Sequence, residues 1–140
     1  MTIHFHIPGQ PVGKGRPIAG KAFGSRFTTL RTPAKTVSYE STVALFAAQA
    51  MAGRPLLTGP VNLQMRVDFA IPASWSQKKQ RAAEAGLILP TVKPDADNVA
   101  KILCDAINGV VWKDDVQVVD LTVKKRYSVQ PGVAVRIDLV

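Results

Sequence analysis

Val61-Asn62-Leu63-Gln64-Met65-Arg66-Val67-Asp68-Phe69 alternates apolar and polar side chains without a break. A period of two marks a strand that buries one face and turns the other to solvent or a partner, so this segment commits the chain to a sheet. Upstream, residues 33–51 predict a helix, with Thr32 as N-cap, Pro33 at the first helical position and an apolar stripe of Val37, Ala44, Leu45, Ala48 and Met51. Gly53-Arg54-Pro55 ends it. Further upstream, Ile3, Phe5 and Ile7 alternate with His4 and His6 until Pro8-Gly9, which predicts a first strand. The stretch between, residues 8–33, is rich in Gly, Pro, Lys and Arg and reads as an irregular basic arm with short apolar patches at Ala22-Phe23 and Phe27.

Downstream of the central strand, Ser74 or Ser76 can cap a polar helix from about Trp75 to Ala85, which Gly86 terminates. A second amphipathic helix begins near Asp97 and runs through Val99, Ala100, Ile102, Leu103, Ala106 and Ile107 to Asn108-Gly109. Val116 to Arg126 and Val133 to Val140 alternate on either side of Ser128-Val129-Gln130-Pro131-Gly132, which predicts a terminal antiparallel hairpin. The expected class is α+β: one domain over residues 1–140, a small and mostly antiparallel sheet with helices packed on it.

The chain has no apolar run near the ~20 residues a membrane span needs, and its first residues lack the features of a secretory signal. Cys104 is the sole cysteine, which excludes an internal disulfide and a cysteine-based zinc site. A cytoplasmic protein is expected. The formal net charge of +8 favours a polyanionic partner. Its distribution is uneven: Lys14, Arg16, Lys21, Arg26, Arg31 and Lys35 all precede the first acid, Glu40, whereas six of the ten acids lie between Asp95 and Asp120. A concentrated acidic cluster inside a basic protein suits a site that holds a divalent cation beside a phosphate backbone.

In Lys93-Pro94-Asp95-Ala96-Asp97-Asn98 two carboxylates stand two residues apart where a helix begins. Either could cap the helix by accepting hydrogen bonds from its first-turn amides, and together they could share one ion. Asn98 could orient them or solvate the turn. Lys101 follows Asp97 by one helical turn, either as a helix ion pair or as a cation that neutralises phosphate charge. Asp105, a turn further on, is expected to pair with Lys101 or to bond locally, with metal binding as the lesser alternative. Asp114-Asp115, just before a strand, reads as a solvated turn or as a source of one ligand, since adjacent residues of a strand point to opposite sides. His4 and His6 lack further soft ligands and read as surface residues, and Gly13-Lys14-Gly15-Arg16 is too short for a nucleotide-binding loop.

The ordered run Lys93-Pro94-Asp95-Ala96-Asp97-Asn98, Lys101, Asp105-Ala106-Ile107, Trp112 and Asp114-Asp115-Val116-Gln117-Val118 resembles the core signature of the RusA-type Holliday junction resolvases. Pro8-Gly9-Gln10-Pro11 with Lys14-Gly15-Arg16-Pro17 is similar to the N-terminal segment of phage-type members. The resemblance implies a homodimeric endonuclease that depends on Mg²⁺, with Mn²⁺ able to substitute, uses no organic cofactor, and resolves four-way DNA junctions by paired symmetric nicks. It maps the essential acids onto Asp95, Asp97 and Asp115 and the essential lysine onto Lys101, with Asn98 in support. One departure is that Lys93 alone stands where the best-known bacterial type has a run of arginines. A two-fold dimer would set two identical sites against the two equivalent strands of a junction. Lys14, Arg16, Lys21, Arg26, Arg31 and Lys93 are the expected DNA contacts. The rival readings are a nuclease for flaps or other branched DNA, and a non-catalytic DNA-binding phage protein whose aspartates only cap a helix and pair with lysines.

Overall fold

A computed structural model describes residues 1–15, 18–21, 28–31 and 33–140. Its elements run β1 (Thr2–Pro8), β2 (Ile18–Lys21), β3 (Thr28–Arg31), α1 (Ala34–Met51), β4 (Val61–Ala70), α2 (Gln77–Glu84), α3 (Ala96–Ile107), a short 3₁₀ turn (Asp115–Gln117), β5 (Val118–Ser128) and β6 (Gly132–Leu139). The class is α+β, as expected. Within the stretch read as an irregular arm, β2 pairs antiparallel with β3, Ile18 opposite Arg31 and Lys21 opposite Thr28. Arg16, Phe23, Arg26, Phe27 and Thr32 lie outside the described residues.

The main sheet has the order β1-β6-β4-β5. β6 runs antiparallel to both neighbours, with Ile137 opposite Ile3 on one side and Leu63 on the other. β4 and β5 run parallel, Asn62 beside Asp120 and Ala70 beside Ser128. The expected terminal hairpin is therefore wrong, because β4 is inserted between β5 and β6. Alternation shows that a strand has one buried face and is silent about its neighbour. The turn permits the insertion: four peptide units from Ser128 to Gly132 can reach roughly 13 Å, and crossing one intervening strand needs about 9.6 Å. β4 takes the inner place with Val61, Leu63, Met65, Val67 and Phe69 all buried on one face.

Parallel neighbours cannot be joined by a tight turn, so β4 connects to β5 through a long crossover that carries α2, α3 and the 3₁₀ turn. α3 enters the core with Val99, Ala100, Ile102, Leu103, Cys104 and Ile107. It packs on α1 and on β5. Ser76 caps α2 by accepting from the Lys79 amide at 3.2 Å, and Gly86 leaves the helix at φ +82°, as the sequence predicts.

α1 matches its expected span but not its expected face. It buries Thr36, Val43, Ala47 and Met51, while Val37 and Leu45 stay exposed. The helix carries apolar residues almost all round, so its own pattern selects a face weakly and the packing against β1 and α3 decides. Trp112 is fully buried behind α3, its indole N–H donating to the Asn108 side-chain oxygen at 2.6 Å. Burying such a side chain contributes about 2–3 kcal/mol, so this ring is a main anchor for the segment that leads into the acidic turn. Among the described residues no helix is long and apolar enough to cross a membrane.

Candidate active site

Asp95 occupies the N-cap position of α3 in an extended conformation, but its side chain makes no capping hydrogen bond. Asp97 lies in the first turn. From there Asp97, Ala100, Lys101, Cys104 and Asp105 follow at spacings of three and four, so one face of the helix carries all five. That face looks across at Asp115, Val118, Val119, Asp120 and Leu121, and the two rows line a depression of about 540 Å³. β5 is an edge strand, which leaves this end of the sheet open. Asp95 and Lys93 are exposed just outside the lining.

The opposite wall is held by side chains. Asp114 caps the 3₁₀ turn, accepting from the Val116 amide at 3.2 Å, and the Gln117 side-chain oxygen accepts from the Lys113 and Asp114 amides at 3.0 and 3.3 Å. The Gln117 side-chain amide in turn donates to the carbonyls of Leu57 and Gly59, each at 3.0 Å, which moors the turn to the segment before β4. The two adjacent aspartates thus have different surroundings. Asp114 is used by the backbone, and Asp115 faces the depression.

Charge is unbalanced there. The Asp115 carboxyl is pushed above the ordinary carboxylate range first by its hydrogen bond with Asp114, then by partial burial, then by the charges of Asp114 and Asp105. Asp114 is correspondingly held below that range by the same hydrogen bond and by the Val116 amide. Burial pushes the Cys104 thiol up to about 12, with Asp115 and Asp105 adding to the shift, so this thiol lies at the site as an inert wall.

Asp105 does not pair with Lys101. Its carboxylate lies 3.1 Å from the ammonium of Lys14, which also donates to Glu40 of α1 at 2.6 Å. The Glu40 hydrogen bond, followed by Asp105, holds the Lys14 ammonium above its ordinary value. The backbone around Lys14 is fastened too: its amide donates to the Asn98 carbonyl at 3.2 Å, and the Gly15 amide donates to the buried Thr36 hydroxyl at 3.1 Å. A Cβ on Gly13 would come within 2.8 Å of Pro94, and one on Gly15 within 2.6 Å of the Thr36 hydroxyl. Sequence reasoning missed this strap and missed Asp120 in the lining. The glycines on either side of Lys14 were the available signal for a close backbone approach.

Among the described residues no three His, Cys, Asp or Glu side chains stand close enough together to hold an ion. Asp97, Asp105, Asp115 and Asp120 nevertheless open on one depression, and they offer hard carboxylate oxygens only. That donor chemistry fits a hard divalent cation such as Mg²⁺, which completes its shell with waters and substrate oxygens. Asp97, Asp115 and the neighbouring Asp95 are the residues that could hold it.

His4 and His6 lie on β1, at the opposite edge of the sheet from β5, on its helix-free face. With Gln64, Arg66, Lys124 and Arg136 they line a larger depression of about 700 Å³. Arg66 pairs there with Asp68 at 3.2 Å and Arg136 with Asp138 at 2.9 Å.

Comparison with known proteins gives two findings. A family model described as endodeoxyribonuclease RusA matches residues 8–138. The uncharacterized protein YqaN of Bacillus subtilis (strain 168) is 44% identical over 139 residues, covering 96% of this chain and 94% of that protein.

Proposed function

The chain belongs to the RusA endodeoxyribonuclease family, and from that premise we propose that it is a Mg²⁺-dependent resolvase of four-way DNA junctions whose site is formed by Asp95, Asp97, Lys101 and Asp115. The observation that carries this reading is that Asp97, Lys101 and Asp115, contributed by α3 and by the turn before β5, open on one depression at the edge of the sheet. A bound Mg²⁺ supplies an activated water and stabilises charge on the leaving oxygen. Asp97 and Asp115, on facing walls, would hold the ion, with Asp95 at the head of α3 as the further ligand. Lys101, exposed at the same depression, would offset the charge that develops on the scissile phosphate. Asn98, one residue past Asp97, steadies the first turn.

Around this centre the basic residues bind the DNA backbone. Lys93 lies beside the acids and Lys113 borders the 3₁₀ turn, both exposed. Arg16, Lys21, Arg26 and Arg31 of the arm follow directly on the strap at Gly13–Gly15. Phosphate contacts of this kind give a steep salt dependence. A homodimer with two-fold symmetry presents two such sites to the two equivalent strands of a junction.

The test is cleavage of a synthetic four-way junction, a flap and a linear duplex with and without Mg²⁺. Junction cutting in Mg²⁺ by the wild type is expected, and Asp97→Asn is expected to lower the rate at least about 10²-fold while junction binding is kept. Undiminished cutting by Asp97→Asn would remove the site, and equal cutting of the flap and the junction would remove the substrate assignment.

A further inference from the structure

The geometry points to Lys14 as a positioning residue of the active site, one that holds Asp105 away from the metal position and leaves Lys101 available to the phosphate. The inference rests on the nuclease reading above and deepens it. From sequence, Lys14 reads as a DNA contact at the head of a basic arm. In the folded chain its ammonium is enclosed by two carboxylates from different helices, Glu40 at 2.6 Å and Asp105 at 3.1 Å, and the side chain is only 24% exposed. Two of its three donors are thereby engaged by carboxylates.

Three consequences follow for the site. Asp105 is the helical neighbour of Lys101, and without Lys14 these two would pair at the spacing of one turn. The Lys14 bridge takes the Asp105 carboxylate instead, and among the described residues Lys101 has no ion-pair partner. Lys14 also cancels one of the carboxylate charges lining the depression, so the negative charge that attracts a cation is concentrated at Asp97, Asp115 and Asp120. Finally, the bridge joins α1 to α3 at the strap Gly13–Gly15, where the backbone bonds to Asn98 and Thr36 leave no room for a side chain on either glycine.

The proposal is tested on the full chain with Lys14→Met, Lys14→Arg, Asp105→Asn and the double variant Lys14→Met/Asp105→Asn. Three quantities are read: single-turnover cleavage of a four-way junction in Mg²⁺, junction binding in EDTA, and Mn²⁺ binding by titration calorimetry in the absence of DNA. Lys14→Met is expected to lower the cleavage rate about 10-fold or more, as loss of a residue that orients a metal site does, with junction affinity changed by less than about threefold. Its released Asp105 is expected to tighten Mn²⁺ binding by about threefold or more, and Asp105→Asn in the same chain to reverse that tightening, which gives a non-additive cycle. Lys14→Arg keeps the bridge and stays near wild type.

A loss of junction affinity as large as the loss of rate would make Lys14 a phosphate contact and overturn the proposal. So would unchanged Mn²⁺ affinity in Lys14→Met, or a tightening that Asp105→Asn does not reverse. If Lys14→Met fails to fold by circular dichroism, Lys14→Gln, which keeps a polar side chain in the strap, carries the same comparisons. If the wild type cuts no junction, the resolvase reading fails, and the Mn²⁺ titrations still decide whether Lys14 restrains Asp105.

Discussion

The two depressions of the sheet differ in a way that size does not reveal. The larger, on the helix-free face, is lined by the cations Arg66, Lys124 and Arg136, and Arg66 and Arg136 each meet an aspartate two residues along their own strand. The smaller, between α3 and β5, gathers Asp97, Asp105, Asp115 and Asp120 around Lys101, and the charge that crowds Asp115 comes from other acids. Excess charge of one sign, held by a rigid turn and a helix, marks the place that awaits an external partner.

The sharpest way to break this contrast is to remove one acid of the adjacent pair. Asp115→Asn is expected to cost at least about 10²-fold in junction cleavage with little change in melting temperature, because its carboxylate faces the depression. Asp114→Ala should instead lower the melting temperature through the lost cap, with a smaller loss of rate. Equal effects of the two on rate would erase the distinction between them.

On the helix-free face the effects reverse. Arg66→Gln leaves the buried Asp68 carboxylate without its cation, so a denaturation midpoint lower by the equivalent of about 1–2 kcal/mol is expected, with cleavage unaltered. A slower nuclease with unchanged stability would show that this face also serves the reaction.

The Lys14 bridge adds a pH test. Its ammonium is held above 10.5 in the folded chain, chiefly by Glu40, so the bridge contributes stability that is fully present below that value and is lost as pH rises through the folded one. The melting temperature of the wild type should therefore exceed that of Lys14→Met by a constant margin through neutral pH, and the margin should shrink in strongly alkaline solution. A margin that shrinks on acidification alone would assign the stabilisation elsewhere. The smallest effect concerns α1: among the described residues the buried Tyr39 hydroxyl has no hydrogen-bond partner, and burial pushes it up to about 12. Tyr39→Phe should be neutral or stabilising by up to about 1 kcal/mol in chemical denaturation, and a marked loss would mean that the hydroxyl does have a partner.

Much of this was legible in the sequence where a local rule decides. Alternation over Val61–Phe69, the Ser76 cap, and the amphipathic run from Val99 to Ile107 each needed only neighbours in the chain. The strand order was not legible, because the link at residues 129–131 is as able to cross a strand as to close a hairpin. The buried side of α1 was not, because several of its faces are apolar. At the site, the spacing of Asp95, Asp97 and Lys101 was open to reading, whereas the partner of Asp105 was not: Lys14 comes to it from 91 positions away in sequence, by tertiary packing alone.

The parallel pairing of β4 with β5 has a kinetic side. Contacts between elements separated by a long crossover form late, after the entropy of closing that loop has been overcome. Asp97 and Asp115 come to line one depression only once α3 is seated and β5 has docked beside β4, so a partly folded chain carries the acids without the proposed site. Competence to cut DNA is thereby delayed until the sheet is complete.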